Sequence, residues 1–381
     1  MKNLNDLRNE INDIDGELTK LFVRRMNAAS EVAAYKRKMG TPVYDPVRER
    51  EILAKVAKSV GSELENEARL LFTTLFSISR GRQRSELAVN SNFTSSLESA
   101  LAKGMTTLPS SATIACPGAE GSYSQQAASA LVKFPTILYF KSFEDVFNAV
   151  EKGMCDYGVL PIENSTVGSV SAVYDLMARH QFKIVRAHRH HIRHVLLAKR
   201  GVKIADIREV HSHPHALSQC SRFICEHPQW RAVPATNTAA AAAELAASGR
   251  NDVAVIAARE CAELYDLEII GENIADVKSN FTRFICISKK NEIYADANKF
   301  SVMMSLPHRA GALSDVLVKF SSGGVNLTKL ESRPVPGSDF EFSFIFDFEA
   351  SPHDPHVIKL LSGFAGDPEI EHFTFLGAYA E

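Results

Sequence analysis

The first forty residues place apolar side chains at spacings of three and four. Leu4, Leu7, Ile11, Ile14, Leu18 and Leu21 fall on one seam, which Arg25, Ala28, Val32, Tyr35 and Met39 continue. Such an a/d pattern belongs to a helix packed along another helix. Gly16 is the one glycine before Gly40-Thr41-Pro42, so a single helix of about 35 residues is expected, suited to pack against helices of another chain. Asp45-Pro46 then reads as an N-cap followed by proline at the first helical position, with Glu49 in the first turn. A third helix opens near Ser62 and carries Leu64, Leu71, Leu75 and Ile78, with Ser79 and Gln83 side by side at i and i+4.

Past a polar, Ser/Thr-rich linker at 91–111 the period changes. Residues 113–116, 137–140 and 157–160 read as short apolar strands, and 124–134 and 143–152 as helices, the second capped by Ser142. This alternation argues for βαβ units and a mostly parallel sheet. Residues 214–226 and the alanine run after Asn237-Thr238 read as helices, and 253–257 and 281–288 as apolar strands. Two lobes with a cleft between them are expected: one closed by strand 281–288, the other inserted at about 188–267. The stretch 298–381 alternates strand, helix, strand, strand, helix, strand, which is the ferredoxin-like plan.

At 381 residues the chain has room for two to four domains. Its 43 basic and 45 acidic residues nearly cancel, so no nucleic acid partner is expected and any basic site must be local. Residues 1–10 are polar with no apolar stretch behind them, and no apolar run approaches the roughly 20 residues of a membrane helix. No export signal and no membrane are therefore expected. Six cysteines sit singly in apolar segments without a Cys-x-x-Cys pair, as reduced, buried cytoplasmic thiols do.

Polar residues interrupt these patterns at few places. Arg25 puts a charge at a core position, which is costly unless something anionic meets it. Lys36, eleven residues on, lies within about 20° of the same face. The glycine-rich turn from Gly118 to Ser124 leads into a helix and offers backbone amides to an anion. Glu163-Asn164-Ser165-Thr166 and Ser212-His213-Pro214, followed by Gln219, stand in other loops. His188, His190, His191 and His194 cluster, and His211, His213 and His215 alternate. No carboxylate or cysteine falls at ligand spacing beside them and Pro214 breaks the shared face, so neither metal nor other cofactor is expected.

Asn280-Phe281-Thr282-Arg283-Phe284 resembles the Thr-Arg-Phe signature of the prephenate dehydratase family, and the loops just named match that family's motifs in the same order. Gly118-Ala119-Glu120-Gly121 departs from its frequent Gly-Pro-x-Gly, and His215 stands where glutamine is common. Leu7-Arg8, Arg25-Met26, Lys36, Asp45, Arg48-Glu49 and Ser79-x-x-x-Gln83 resemble, in order and spacing, the all-helical AroQ-type chorismate mutase. Gly311-Ala312-Leu313 and Glu331-Ser332-Arg333-Pro334 resemble the phenylalanine-binding ACT domain. Nearly the whole chain thus resembles the bifunctional chorismate mutase/prephenate dehydratases.

The resemblance implies a mutase domain at 1–90, the linker, a two-lobed, periplasmic-binding-protein-like dehydratase at 112–290 and an ACT domain at 298–381. It implies that Arg8, Arg25 and Ser79 hold chorismate's carboxylates, Asp45 and Glu49 its hydroxyl, and that Lys36 and Gln83 donate to the ether oxygen. A Claisen rearrangement needs no nucleophile, only donors placed where charge grows, worth about 3–4 kcal/mol each. For prephenate, Thr282 is implied as the activity-essential residue, with Glu163, Asn164, Ser165, His213, Arg283 and Phe284 around it. L-Phenylalanine as feedback inhibitor is implied at Gly311, Ala312, Leu313, Ser314, Glu331, Ser332, Arg333 and Pro334. A cytoplasmic homodimer through the N-terminal helices is implied, with the ACT domains as an optional second contact. Two other readings stand beside this one. A monofunctional dehydratase whose helices only dimerise would not need Lys36 or Gln83, and a two-lobed solute receptor would need an export signal.

Overall fold

The computed structural model describes residues 2–41, 43–87, 92–334, 342–367 and 369–381, without the side chains of 84–87 and 92. The linker's expected start at 91 lies outside these, as does residue 340, where the third strand of the stretch 298–381 is expected to begin. The chain divides into two compact units, Met1–Ser99 with Val302–Thr374, and Ala100–Ser301 with Phe375–Glu381.

In the first unit α1 runs Leu4–Met39, 36 residues, close to the length the seam predicts. Asn3 and Asp6 form a capping box at its start, and Gly40 ends it in the left-handed conformation that glycine adopts without a Cβ penalty. Helix α2 is Pro46–Val60, capped by Asp45, whose side chain accepts from the Arg48 amide. Helix α3 is Glu65–Leu87 and α4 is Asn92–Ala102. The seam of α1 is uncovered: Leu4, Leu7, Ile11, Ile14, Leu18 and Leu21 are 44% to 63% exposed. Full burial of such a side chain gains about 1.5–3 kcal/mol, a gain that these six residues do not realise within the chain.

The second unit contains strands β1 Ser111–Pro117, β2 Phe134–Phe140, β3 Tyr157–Asn164, β4 Gly168–Ser169, β5 Lys183–His191, β6 His194–Lys199, β7 Glu209–Ser212, β8 Arg231–Pro234, β9 Val253–Ala258, β10 Leu267–Gly271 and β11 Phe281–Ser288. Its helices are α5 Tyr123–Leu131, α6 Phe143–Glu151, α7 Ser171–His180, α8 Pro214–Gln219, α9 Ser221–Cys225, α10 Thr238–Ala247 and α11 Glu260–Leu264. One sheet has the order β2-β1-β3-β11-β5 with β4 beside β3, the other β10-β6-β9-β7-β8. The chain leaves the first sheet after β5, builds the second and returns as β11, so the two lobes form as expected. The crossing lies between His191 and His194, and His188, His190 and His191 therefore belong to the first sheet. Strand β11 is central and antiparallel to both neighbours, β3 and β5. After Phe281 every residue of it is buried, which is why the pattern there is apolar and continuous.

Strands β12 Lys299–Leu306, β13 Asn326–Pro334, β14 Phe342–Glu349 and β15 His372–Tyr379, with helices α12 Ala312–Ser322 and α13 Pro355–Ala365, follow the predicted ferredoxin-like order. The sheet runs β13-β14-β12-β15, which leaves β13 at its edge.

Candidate active sites

Thr282 and Asn164 are register partners on β11 and β3 and so share one face of the sheet. Asn164 Nδ2 donates to Thr282 Oγ1 at 2.8 Å and to Asn280 Oδ1 at 2.8 Å. Its Oδ1 accepts from the Thr166 and Val167 amides at 3.0 and 3.1 Å, an Asx turn that shapes the loop into β4. Asn280 Nδ2 donates to Gln219 Oε1 at 3.0 Å, Gln219 Nε2 to Thr166 Oγ1 at 2.8 Å, and Thr166 Oγ1 to Asn164 Oδ1 at 2.6 Å. Four side chains thus close a ring in which each donor meets an acceptor. Gln219 comes from α8 of the second lobe, so the ring crosses the cleft. A cavity of about 360 Å³ opens beside it, lined by Thr166, His215, Ser218, Gln219, Asp276 and Asn280 among others.

With Asn164 as donor, the Thr282 oxygen is an acceptor and its proton remains to be given. His190, the other register partner of Thr282, shares its face, and its Nε2 lies 3.0 Å from Gln126 Oε1. Burial holds the His190 imidazole below its ordinary value, with His188 adding to the effect, so the ring is neutral near pH 7. His194 is depressed by burial too, against the bond to Gln219, and bridges Gln219 Oε1 and the Tyr123 hydroxyl at 3.0 and 3.1 Å.

The pleat corrects part of the expected set. Arg283 and Glu163 are register partners of each other, one residue along from Thr282 and Asn164, and therefore lie on the opposite face. Ser165 braces the strand start instead of the cleft: its Oγ accepts from the Phe281 amide at 2.9 Å. Phe284 is buried in the lobe core, its ring 6.3 Å from that of His190. His213 caps α8 by accepting from the His215 amide at 3.3 Å and stands outside the ring of hydrogen bonds. In the Gly118–Ser124 turn three amides are already engaged. Those at Gly118, Gly121 and Ser122 donate to Phe140 O, Gln125 Oε1 and Ala119 O. Gly121 is required, since a Cβ would come within 2.9 Å of the Cys261 sulfur.

Gln126, His190, Gln219 and Asn280 were not singled out as site residues from sequence. Asn280 and Gln219 stand in the motifs quoted above. His190 is found only once the register of β5 on β11 is known.

In the helical unit, Arg25 Nη1 donates to Ser79 Oγ at 2.5 Å and to the Leu75 carbonyl at 3.0 Å. Burial lowers the Arg25 guanidinium from its ordinary value, and the Glu49 carboxylate opposes that. Glu49 is gripped by Arg80 Nη1 at 2.5 and 2.6 Å, and Arg80 Nη2 reaches Asp315 at 3.2 Å. Sequence reasoning missed Arg80; its position next to Ser79 and three before Gln83 was the available signal. Lys36 Nζ donates to the Val43 carbonyl at 2.7 Å, and Asp45 serves as the α2 cap. Gln83 is buried with its Oε1 unpartnered among the described residues, and its amide can turn either end to a ligand. Arg8 is exposed and sits 17 residues before Arg25, about 25 Å along α1. The two do not meet within one chain.

Gly311 opens α12 with φ 84°, a conformation that favours glycine, and Ala312, Leu313 and Ser314 form that helix's first turn. Glu331, Ser332, Arg333 and Pro334 end the edge strand β13, where Glu331 pairs with Lys329 and Arg333 at 3.1 and 3.4 Å.

Residues 7–84 match the family model "Chorismate mutase type II" and residues 114–292 match "Prephenate dehydratase". The bifunctional chorismate mutase/prephenate dehydratase of Escherichia coli K12 is 31% identical over 93% of this chain and 91% of its own length. Among solved structures, the prephenate dehydratase of Arthrobacter aurescens in complex with L-Phe is 31% identical with a TM-score of 0.64, over 71% of this chain and 90% of that one. GqqA, described as a novel type of quorum quenching acylase, is 30% identical with a TM-score of 0.62, over 70% of this chain and 97% of that one.

Proposed function

The chain belongs to the bifunctional chorismate mutase/prephenate dehydratase family, and from that premise we propose how its residues divide the two reactions. It converts chorismate to prephenate, then prephenate to phenylpyruvate, carbon dioxide and water, in L-phenylalanine biosynthesis. The readings as a solute receptor or as a dehydratase with merely dimerising helices are set aside.

In the dehydratase step the bond from the ring to its carboxylate breaks and releases carbon dioxide. Its electron pair enters the ring, which becomes aromatic and expels the ring hydroxyl. The departing oxygen needs a proton. Thr282 gives it a hydrogen bond and, as the oxygen leaves as water, its proton, which solvent restores; Asn164, donating to Thr282 Oγ1, stabilises the negative charge that develops on the threonine oxygen meanwhile. The single observation behind this role is the Asn164–Thr282 bond, which orients the hydroxyl with its proton outward. Asn280 and Gln219 fix the Asn164 amide, and neutral His190 completes the same face. Ser165 and Phe284 hold the strand rather than the substrate. A third-party role for His213 is limited to capping α8, next to the cavity wall at His215.

For the mutase we assign Arg25 and Ser79 to a carboxylate of chorismate, Glu49 with Asp45 to the ring hydroxyl, and Lys36 and Gln83 to the ether oxygen. Arg8 comes from a second copy. The exposed seam of α1 supports this, because an antiparallel partner helix covers it and brings its own Arg8 to Arg25 and Lys36. The dimer therefore holds two composite sites. L-Phenylalanine binds at residues 311–314 and 331–334 and inhibits the dehydratase; the L-Phe complex of the Arthrobacter relative supports the effector. Glu331→Ala should then lose inhibition with prephenate turnover kept. We place the enzyme in the cytoplasm, where buried Cys116, Cys155, Cys220, Cys261 and Cys286 stay reduced; Cys225, expected buried, is exposed.

Mixing an Arg8→Ala protein with an Arg25→Ala protein tests the shared site. After subunit exchange the mixed dimer has one site with both lesions and one with neither, and chorismate conversion returns toward half of wild type. No recovery, with exchange shown by an independent label, would refute the composite site.

A further inference from the structure

The face of β11 behind Thr282 is closed by residues 375–381. Arg283 Nη2 donates to the Tyr379 hydroxyl, which also lies 2.6 Å from Ser301 Oγ. Arg283 Nε is 3.4 Å from Glu381 Oε1, and its Nη1 is 3.6 Å from Glu163 Oε2. The other Glu381 oxygen pairs with Lys299. The guanidinium sits over the Tyr379 ring, 5.7 Å from its centre, and Tyr379 is wholly buried.

This segment is held on β5, the strand next to β11. Ala187 N donates to Ala380 O at 3.0 Å, and Lys183 Nζ to Phe375 O at 2.6 Å. Gly377 lies so close that a Cβ would stand 2.2 Å from the Ile184 carbonyl oxygen, so nothing larger than glycine fits. The β3–β11 ladder, by contrast, shifts register between Arg283 and Phe284, one residue past Thr282. The unmatched residue is Ile162 of β3, so the ladder is disrupted on the Asn164 side of β11, whereas on its other side β11 keeps regular register with β5 through Cys286. Arg283 is the side chain at that point, and Tyr379 and Glu381 hold it from the 375–381 segment while Glu163 meets it from β3.

We propose that Tyr379 and Glu381, acting through Arg283, are positioning residues for the dehydratase: they hold β11 so that Thr282 Oγ1 stays on the Asn164 amide and aimed at the substrate. The inference rests on the role given to Thr282 above. A displacement of β11 by about 1 Å breaks a 2.8 Å hydrogen bond, and misplacements of that size cost about a hundredfold in rate. It also means that residues 299–301 and 375–381 serve the catalytic unit, so deleting 298–381 as a regulatory domain removes part of the dehydratase.

The test uses the full chain with Tyr379→Phe and, separately, Glu381→Gln, each also made in a Thr282→Ser background. Prephenate kcat and KM and the mutase rate are measured on all of them. Each tail variant should lower dehydratase kcat about tenfold or more, leave KM within about threefold, and spare the mutase. In the Thr282→Ser background the loss should differ from that in wild type, because the two changes act on one hydroxyl. Unchanged kcat in both variants, a loss confined to KM, or identical losses in both backgrounds overturns the proposal. Should Tyr379→Phe fail to fold, Glu381→Gln carries the decision. If Thr282→Val keeps full dehydratase activity, the role of Thr282 fails first; if Thr282→Val is dead and the tail variants are normal, this inference alone fails.

Discussion

Asn164 Nδ2 lies 2.8 Å from Thr282 Oγ1 and donates to it, across strands whose residues are 118 apart in sequence. The direction of that bond matters more than its length. An amide that donates makes the threonine oxygen an acceptor and leaves its proton for the substrate. Asn164→Asp reverses the relationship, since a carboxylate only accepts and takes the threonine proton itself. Dehydratase kcat should fall about a hundredfold or more, as when an oxyanion donor is lost, with chorismate conversion unchanged. Steady-state assays of both activities on one preparation check this.

The helical unit contains a buried cation whose removal should be felt in stability. Arg80 is 7% exposed and lies between Glu49 and Asp315. Arg80→Ala leaves the Glu49 carboxylate without the guanidinium that grips it, while Asp315 keeps Arg309 at 3.1 Å, so the cost is about 3 kcal/mol, the low end for a broken buried pair. Denaturant unfolding of the variant, followed by far-UV circular dichroism, should show that loss. It should also lower the mutase rate, because Glu49 is no longer held.

Protons bear on the dehydratase unit through its histidines. His188, His190, His194 and His213 are all depressed below the ordinary imidazole value of 6.5, chiefly by burial. The folded state then binds fewer protons than the unfolded one, so stability is complete above about pH 6.5 and falls as pH drops through the lowered values. The melting temperature should decline steadily from pH 6.5 to 5. A flat profile over that range would mean the four rings titrate normally.

The mutase should be insensitive to pH in the neutral range. Gln83 is a neutral donor, where a glutamate would have to be protonated to donate. A mutase rate that drops tenfold between pH 6 and pH 8 with folding intact contradicts the role of Gln83.

How much of this was legible in the sequence follows from the range of each interaction. The α1 seam, the Asp45 cap and the strand–helix alternation are local periodicities and appear as read, but the mostly parallel sheet expected from the alternation does not: β11 is antiparallel to β3 and β5, and β6 to β9 and β10. The inserted lobe was visible too, but its edge was placed inside β5, because an apolar strand flanked by histidines carries no mark of where it leaves a sheet. Thr282, Asn164 and the motif around them were found by resemblance, whereas the ring through Gln219 and Asn280 depends on register across the cleft. Arg283 and Glu163 were grouped with Thr282 although the two-residue period of a strand already sends neighbours to opposite faces. Arg80 was overlooked because its partners, Glu49 and Asp315, are 31 and 235 residues away.

The most direct measurement feeds chorismate to full-length Thr282→Val and Thr282→Ser proteins and follows prephenate and phenylpyruvate together. Valine keeps the shape of the threonine side chain but has no proton to give, and serine keeps the proton. With Thr282→Val, prephenate should accumulate at the wild-type rate and phenylpyruvate should not form, while Thr282→Ser should still deliver phenylpyruvate. Phenylpyruvate formed by folded Thr282→Val at the wild-type rate would contradict the account.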